Sequence, residues 1–225
     1  MSTHYTYLII DITTILFPFI LSFDKKVAFY KTWPYIWRGI LVTGTFFIVW
    51  DILFTRNNVW SFNDKYIVGW RIAGLPIEEW LFFLVVPYAC TFIYSCLTIY
   101  LPKRNHKNRG WQVLLPLGIL LVIAALIFTS FEYTFYSFFF CGIAIIILYI
   151  VKNHFPSFHA DVFLYTFLIS TIPFLLVNGI LTALPVVIYN DNENLGLRIY
   201  TIPFEDNFYG MLLMLGSIIS LPQKK

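Results

Sequence analysis

DILFTRNNVWSFNDKYIVGWRIAGLPIEE, residues 51–79, aligns without a gap to NGILTALPVVIYNDNENLGLRIYTIPFED, residues 178–206, at a constant offset of 127. Nine of the 29 positions are identical: Thr55/Thr182, Val59/Val186, Asn63/Asn190, Asp64/Asp191, Gly69/Gly196, Arg71/Arg198, Ile72/Ile199, Pro76/Pro203 and Glu78/Glu205. Asp51/Asn178, Phe62/Tyr189 and Glu79/Asp206 are chemically close. Most of the matches are polar, Gly or Pro, which a shared apolar bias does not produce. The stretch is an internal repeat.

Around the repeat the composition is that of an integral membrane protein. Of 225 residues, 59% are hydrophobic, 20% aromatic and only 12% charged, far from the balance of soluble domains. A spanning helix needs about 20 apolar residues, and such segments run at 5–23, 36–54, 76–100, 112–129, 132–151, 161–183 and 204–221. Asp11 interrupts the first, which has no basic region before it and reads as a retained helix, not a removable signal. The expected fold is an all-α integral membrane protein with seven transmembrane helices.

The repeat equates the second helix with the sixth and the third with the seventh. Four spans separate each pair, and an even number preserves direction. The expected architecture is a tandem parallel repeat of three helices about a pseudo-twofold axis along the membrane normal. The units are residues 1–100 and 131–225, joined by a basic loop and a connecting helix at 101–130.

Basic residues report orientation. Lys25, Lys26, Lys31, Arg38, Lys103, Arg104, Lys107, Arg109, Lys152, Lys224 and Lys225 fall on one side, against Arg56, Lys65, Arg71 and Arg198 on the other. The count predicts a multi-pass protein of the cell membrane with its N-terminus outside and its C-terminus cytoplasmic. The net charge of +3 fits this orientation, and no nucleic-acid-binding motif accompanies it. Cys90, Cys96 and Cys141 all sit in spanning segments and are odd in number, so free thiols are expected.

Two readings fit PIEE (76–79) and PFED (203–206). Proline suits the first turn of a helix and acids there complement its dipole, which explains the position but not the duplication. A carboxylate drawn toward hydrocarbon costs several kcal/mol unless paired, hydrated or neutral, so a repeated pair points to chemistry. Adjacent helical positions differ by about 100°, and Glu78 and Glu205, identical in both copies, are expected to face inward as acid/base candidates. Glu79 and Asp206 are then the partners that tune them. With Asp51 nearby, crowded carboxyls cannot all ionise, so at least one is expected to hold a proton. Arg71 and Arg198 either hold a neighbouring carboxylate charged or anchor the interface. Trp50, Trp60, Phe62, Trp70, Trp80, Phe82 and Phe83, with Tyr189, Tyr200, Phe204, Phe208 and Tyr209, make an aromatic belt, some of whose ring faces can stabilise a cation.

Neither GxGxxG nor GxxxxGK[ST] occurs, so no dinucleotide or P-loop site is indicated. There is no HExxH, and His154, His159 and Asp161 read as solvated or interfacial groups, so no metal site is expected. Aspartate-rich pairs of the magnesium-diphosphate type are absent as well.

With PIEE, its second copy PFED and the three-helix repeat around them, the chain resembles the membrane-integral lycopene cyclases built from two small homologous domains, here fused in one chain. The resemblance covers nearly the whole sequence. It implies redox-neutral acid/base cyclisation of the ψ-ends of lycopene to β-ionone rings in carotenoid biosynthesis, without a cofactor. It implies a lipophilic carotenoid substrate within the bilayer, and leaves open association with other carotenoid enzymes. The acids at 78, 79, 205 and 206 carry over from the family motif; Trp50, Asp51, Trp80, Phe82, Arg71 and Arg198 are substrate-binding candidates from the repeat alone. The rival reading is a small membrane transporter or proton channel using the repeated acids.

Overall fold

The computed structural model describes residues 3–101 and 109–221. Lys103, Arg104, Lys107, Lys224 and Lys225, which enter the charge count, lie outside the described residues. Seven α-helices are present among the described residues: α1 (Thr6–Leu21), α2 (Trp33–Arg56), α3 (Ile77–Tyr100), α4 (Trp111–Ile127), α5 (Glu132–Ile150), α6 (Ala160–Ala183) and α7 (Asp206–Ile218). The helices α2, α3, α5 and α6, and α1 together with the turn before it (Thr3–Leu21, 19 residues), are long and apolar enough to cross a membrane. Helix α4, with 17 residues, and α7, with 13, are shorter. Large apolar side chains such as Val42, Leu120, Ile150, Leu168 and Ile172 point outward, as they do where the solvent is lipid and not water. The chain is an all-α membrane protein in class.

Six short strands accompany them among the described residues: β1 (Trp60–Phe62), β2 (Arg71–Ile72), β3 (Leu75–Pro76), β4 (Val187–Tyr189), β5 (Arg198–Ile199) and β6 (Ile202–Pro203). They belong to the α2–α3 and α6–α7 loops. Within each loop two strands form a minimal hairpin, Arg71 opposite Pro76 and Arg198 opposite Pro203. Across the loops, β1 pairs antiparallel with β4, matching Trp60 with Tyr189, Ser61 with Ile188 and Phe62 with Val187. Ser61 and Ile188 are also partners in the 127-residue offset, so a local twofold axis passes through that pair.

The loop positions that repeat in sequence repeat in conformation. Gly69 (φ +96°) and Gly196 (φ +69°) both occupy the left-handed region, which favours a residue without Cβ. Asp64 pairs with Arg71 at 2.7 Å and Asp191 with Arg198. Each arginine also donates to the next loop carbonyl, Gly74 O at 3.0 Å and Thr201 O at 2.8 Å.

Helix packing interleaves the units. α1 lies on α3 and α5 on α7, but α2 also packs on α7, α6 packs on α3, and α3 meets α7. α4 lies along α5, where Gly118 and Gly142 allow close approach: a Cβ at residue 142 would lie 2.6 Å from the Gly118 carbonyl oxygen. Overpacking of this kind costs about 1–3 kcal/mol. Gly142→Leu is therefore expected to lower the thermal midpoint of the purified protein in detergent, while Leu126→Ala, on the exposed side of α4, leaves it unchanged.

Candidate active site

Glu78 and Glu79 open α3, and Asp206 opens α7 just after Glu205. All four are buried, as is Asp51 in the last turns of α2. The two acids of each pair turn in different directions, as their angular separation requires.

Glu78 and Glu205 face the loops. The Glu78 Oε1 accepts from Val68 N–H at 2.7 Å and the Glu205 Oε1 from Leu195 N–H at 2.9 Å, residues related by the same repeat. Thr134 also donates to Glu205 at 2.6 Å. Both are fully buried, with their second oxygens unpartnered, but neither is among the residues that line the acid cavity. The position identical in both copies braces a loop, a demand both halves share.

Glu79 and Asp206 line one cavity of about 590 Å³, together with Asp51. Tyr7, in the first turn of α1, donates to Glu79 Oε2 at 2.5 Å. Asp51 and Glu79 line the same cavity, and the second Asp51 oxygen, Oδ2, is buried there without a hydrogen-bond partner. The Trp60 indole donates to Asp51 Oδ1 at 2.5 Å. On the other side, Tyr133 of α5 donates to Asp206 Oδ1, and Tyr189 of β4 donates to Oδ2 at 2.9 Å. Burial, and then the neighbouring Asp206, push the Tyr189 phenol above its ordinary value, so it serves as a donor. Asp11, on α1, is buried in the same neighbourhood as Glu78 and Glu79.

Ring faces complete the wall. Trp60, Phe62, Phe82, Tyr133, Tyr189 and Tyr209 all border the cavity. Tyr133 and Tyr189 stack at 5.8 Å, and Trp60 meets Tyr133 edge-on at 5.2 Å. Trp50 stands behind this wall, 5.0 Å from the Tyr209 ring.

Of the other sequence candidates, Phe82 and Asp51 are at the cavity, but Trp80 and the arginines are not among its lining. Trp80 donates to Ile72 O at 3.3 Å. Arg71 and Arg198 serve the surface hairpins, where their partners Asp64 and Asp191 are exposed; the nearer aspartates of their own loops outcompete the buried acids. Tyr7 and Tyr133 were not singled out by the repeat. They are related at an offset of 126, one residue off the gapless register, and only a search extended into the first helix of each unit would pair them.

A family model described as Lycopene cyclase matches residues 4–97 and 130–222. The chain belongs to the lycopene cyclase family. It is similar to the bifunctional lycopene cyclase/phytoene synthase of Leptosphaeria maculans, 31% identical over 108 residues, which is 45% of this chain and 17% of that protein. The protein of the same name from Phaffia rhodozyma is 49% identical over 47 residues, 20% of this chain and 7% of that one. That of Aspergillus niger is 29% identical over 116 residues, covering 48% and 18%. The chain spans less than a fifth of the length of these curated relatives. No solved structure matches it.

The lycopene cyclase match includes every acid of the cavity, Asp51 and Glu79 in its first stretch and Asp206 in its second. The tyrosines that serve them fall within it too. Leaving a buried acceptor without its donor costs about 1–3 kcal/mol. Tyr7→Phe and Tyr133→Phe are each expected to lower the thermal midpoint in detergent, with Tyr5→Phe, at an exposed position, as the unaffected control.

Proposed function

We propose that this chain is a lycopene β-cyclase that closes the ψ-ends of lycopene by redox-neutral proton chemistry, giving γ-carotene and β-carotene. The observation that supports this most is the single cavity holding Asp51, Glu79 and Asp206 among aromatic faces. A linear hydrocarbon offers no handle but its double bonds, so the enzyme must add a proton in a dry place and shelter the cation that results.

The Asp51/Glu79 pair is the donor in this reading. A proton held by one carboxyl of this pair goes to C2 of the terminal double bond, leaving a cation at C1. The C5–C6 double bond attacks C1, closing the ring and moving the charge to C5. A carboxylate then takes the C6 proton, and the C5–C6 double bond of the β-ring is restored. Asp206 is suited to this last step, because two phenols already hydrogen-bond its oxygens and hold it in place. One proton is gained and one lost, so no redox cofactor is required by the balance. The rings of Trp60, Tyr133, Tyr189 and Tyr209 stabilise the cation by about 0.5–2 kcal/mol each where water is excluded. Glu78 and Glu205 act through the loops as positioning residues.

The charge count supports a cell-membrane location with the acid-bearing loops outside and the C-terminus in the cytoplasm. The names of the relatives join a lycopene cyclase to a phytoene synthase, which supports placing the chain beside other carotenoid enzymes.

Expression in a lycopene-accumulating host, followed by pigment chromatography, tests the reading. The wild type is expected to convert lycopene to cyclic products; if the pigment stays acyclic while the protein accumulates in the membrane, the cyclase reading fails. General acid/base groups contribute about 10²–10⁴-fold, and Glu79→Gln and Asp206→Asn are expected to lose activity on that scale. Arg71→Gln, which removes a surface ion pair of about 0–1 kcal/mol, is expected to stay within a few-fold of wild type. In D₂O each ring formed should carry one deuterium at C2, read by mass spectrometry.

A further inference from the structure

The two halves are alike in backbone and unlike in bulk. α2 and α6 keep the offset of 127 at both ends, so helix positions can be paired beyond the gapless stretch. A groove of about 670 Å³ runs between α3, α6 and α7, with Phe82, Cys90, Phe174, Val177, Gly210 and Met214 in its walls. It shares Phe82, Val86, Phe174, Asn178 and Gly210 with the acid cavity, so the two spaces adjoin across these residues. Pro173, on its rim, is exposed to the lipid side.

In the first half the corresponding place is filled. Gly210, Val177, Pro173 and Asn207 of the groove correspond to Phe83, Trp50, Phe46 and Trp80. Three of these rings interlock through Phe47: Phe46–Phe47 at 5.4 Å, Phe47–Trp50 at 5.6 Å and Phe47–Phe83 at 5.8 Å. Gly44 lets α2 close on α3, since a Cβ there would lie 3.3 Å from the Phe83 carbonyl oxygen. The nearest atom to a Cβ at Gly210 is a Phe174 ring carbon at 3.6 Å, an ordinary contact.

We propose that Gly210 and Val177 keep the second half open as the lateral portal through which a linear polyene reaches the acids, while the aromatic plug seals the first half. This rests on the cyclase reading. The occupant is a hydrocarbon chain, because the walls are mostly carbon and the groove adjoins the cavity that holds the carboxyls. One ψ-end is presented at a time, with the rest of the polyene lying in the groove.

The test uses the full chain in lipid nanodiscs. Quenching of tryptophan fluorescence by added lycopene reads binding, and chromatography reads cyclisation. Ile172→Ala, on the outward face of α6 and outside both spaces, is expected to stay within about twofold of wild type on both. Gly210→Phe and Val177→Trp, which restore the bulk of Phe83 and Trp50, are expected to lose binding and cyclisation together, at least about tenfold. Glu79→Gln is expected to lose cyclisation and keep binding. The portal is overturned if Gly210→Phe, at wild-type abundance and thermal midpoint, binds and cyclises as the wild type does. Should that variant not accumulate, Val177→Trp on the opposite wall takes its place, and wild-type binding and cyclisation there overturn the portal equally. A wild type that binds lycopene but never cyclises it, with binding still lost in the bulky variants, defeats the cyclase reading and leaves the portal standing.

Discussion

Three carboxyl groups held inside an apolar helix bundle set the terms for everything around them. A carboxylate stranded in hydrocarbon costs several kcal/mol, so each must be met by donors, and the donors come from elements far apart in the chain. Glu79 is met by Tyr7 of α1, Asp51 by Trp60 of β1, and Asp206 by Tyr133 of α5 and Tyr189 of β4. The β1–β4 ladder sets Trp60 opposite Tyr189 and so delivers one donor to each side of the cavity at once. The loops, the first helix of each unit and the cross-strand register all answer the same electrostatic demand.

What the repeat made visible in the sequence was chiefly scaffolding. The identical positions, Asp64/Asp191, Arg71/Arg198, Gly69/Gly196 and Glu78/Glu205, form the same loop brace twice. A brace has the same task in both halves, so its residues match. The residues that line the acid cavity lie where the copies differ: Glu79 against Asp206, Asp51 against Asn178, Trp60 against Val187, Phe62 against Tyr189. In the proposed mechanism the donor and the acceptor have different tasks, and identity between copies is a poor guide to them. This is why reading inward-facing acids from identity favoured Glu78 and Glu205, while the cavity is bordered by their neighbours.

The helices were legible because apolar runs of spanning length leave few alternatives. The strands were not, being two or three residues long and dependent on pairing between segments more than a hundred residues apart. The last helix, Asp206–Ile218, is shorter than its apolar run, 204–221: at its start Glu205 is turned to accept from Leu195 N–H before the helix begins, and at its end the chain leaves the helix after Ile218. Tyr7 and Tyr133 escaped notice for a simpler reason: a single-residue slip between the halves hides them from a gapless comparison.

Interleaved packing has a consequence for what a single half could do. α2 leans on α7 and α6 on α3, so each acid-bearing helix borrows a wall from the other unit. One three-helix unit alone would leave its buried carboxyl facing lipid, with Asp206 missing opposite Glu79. The cavity is thus a property of the seam between two units and belongs to neither.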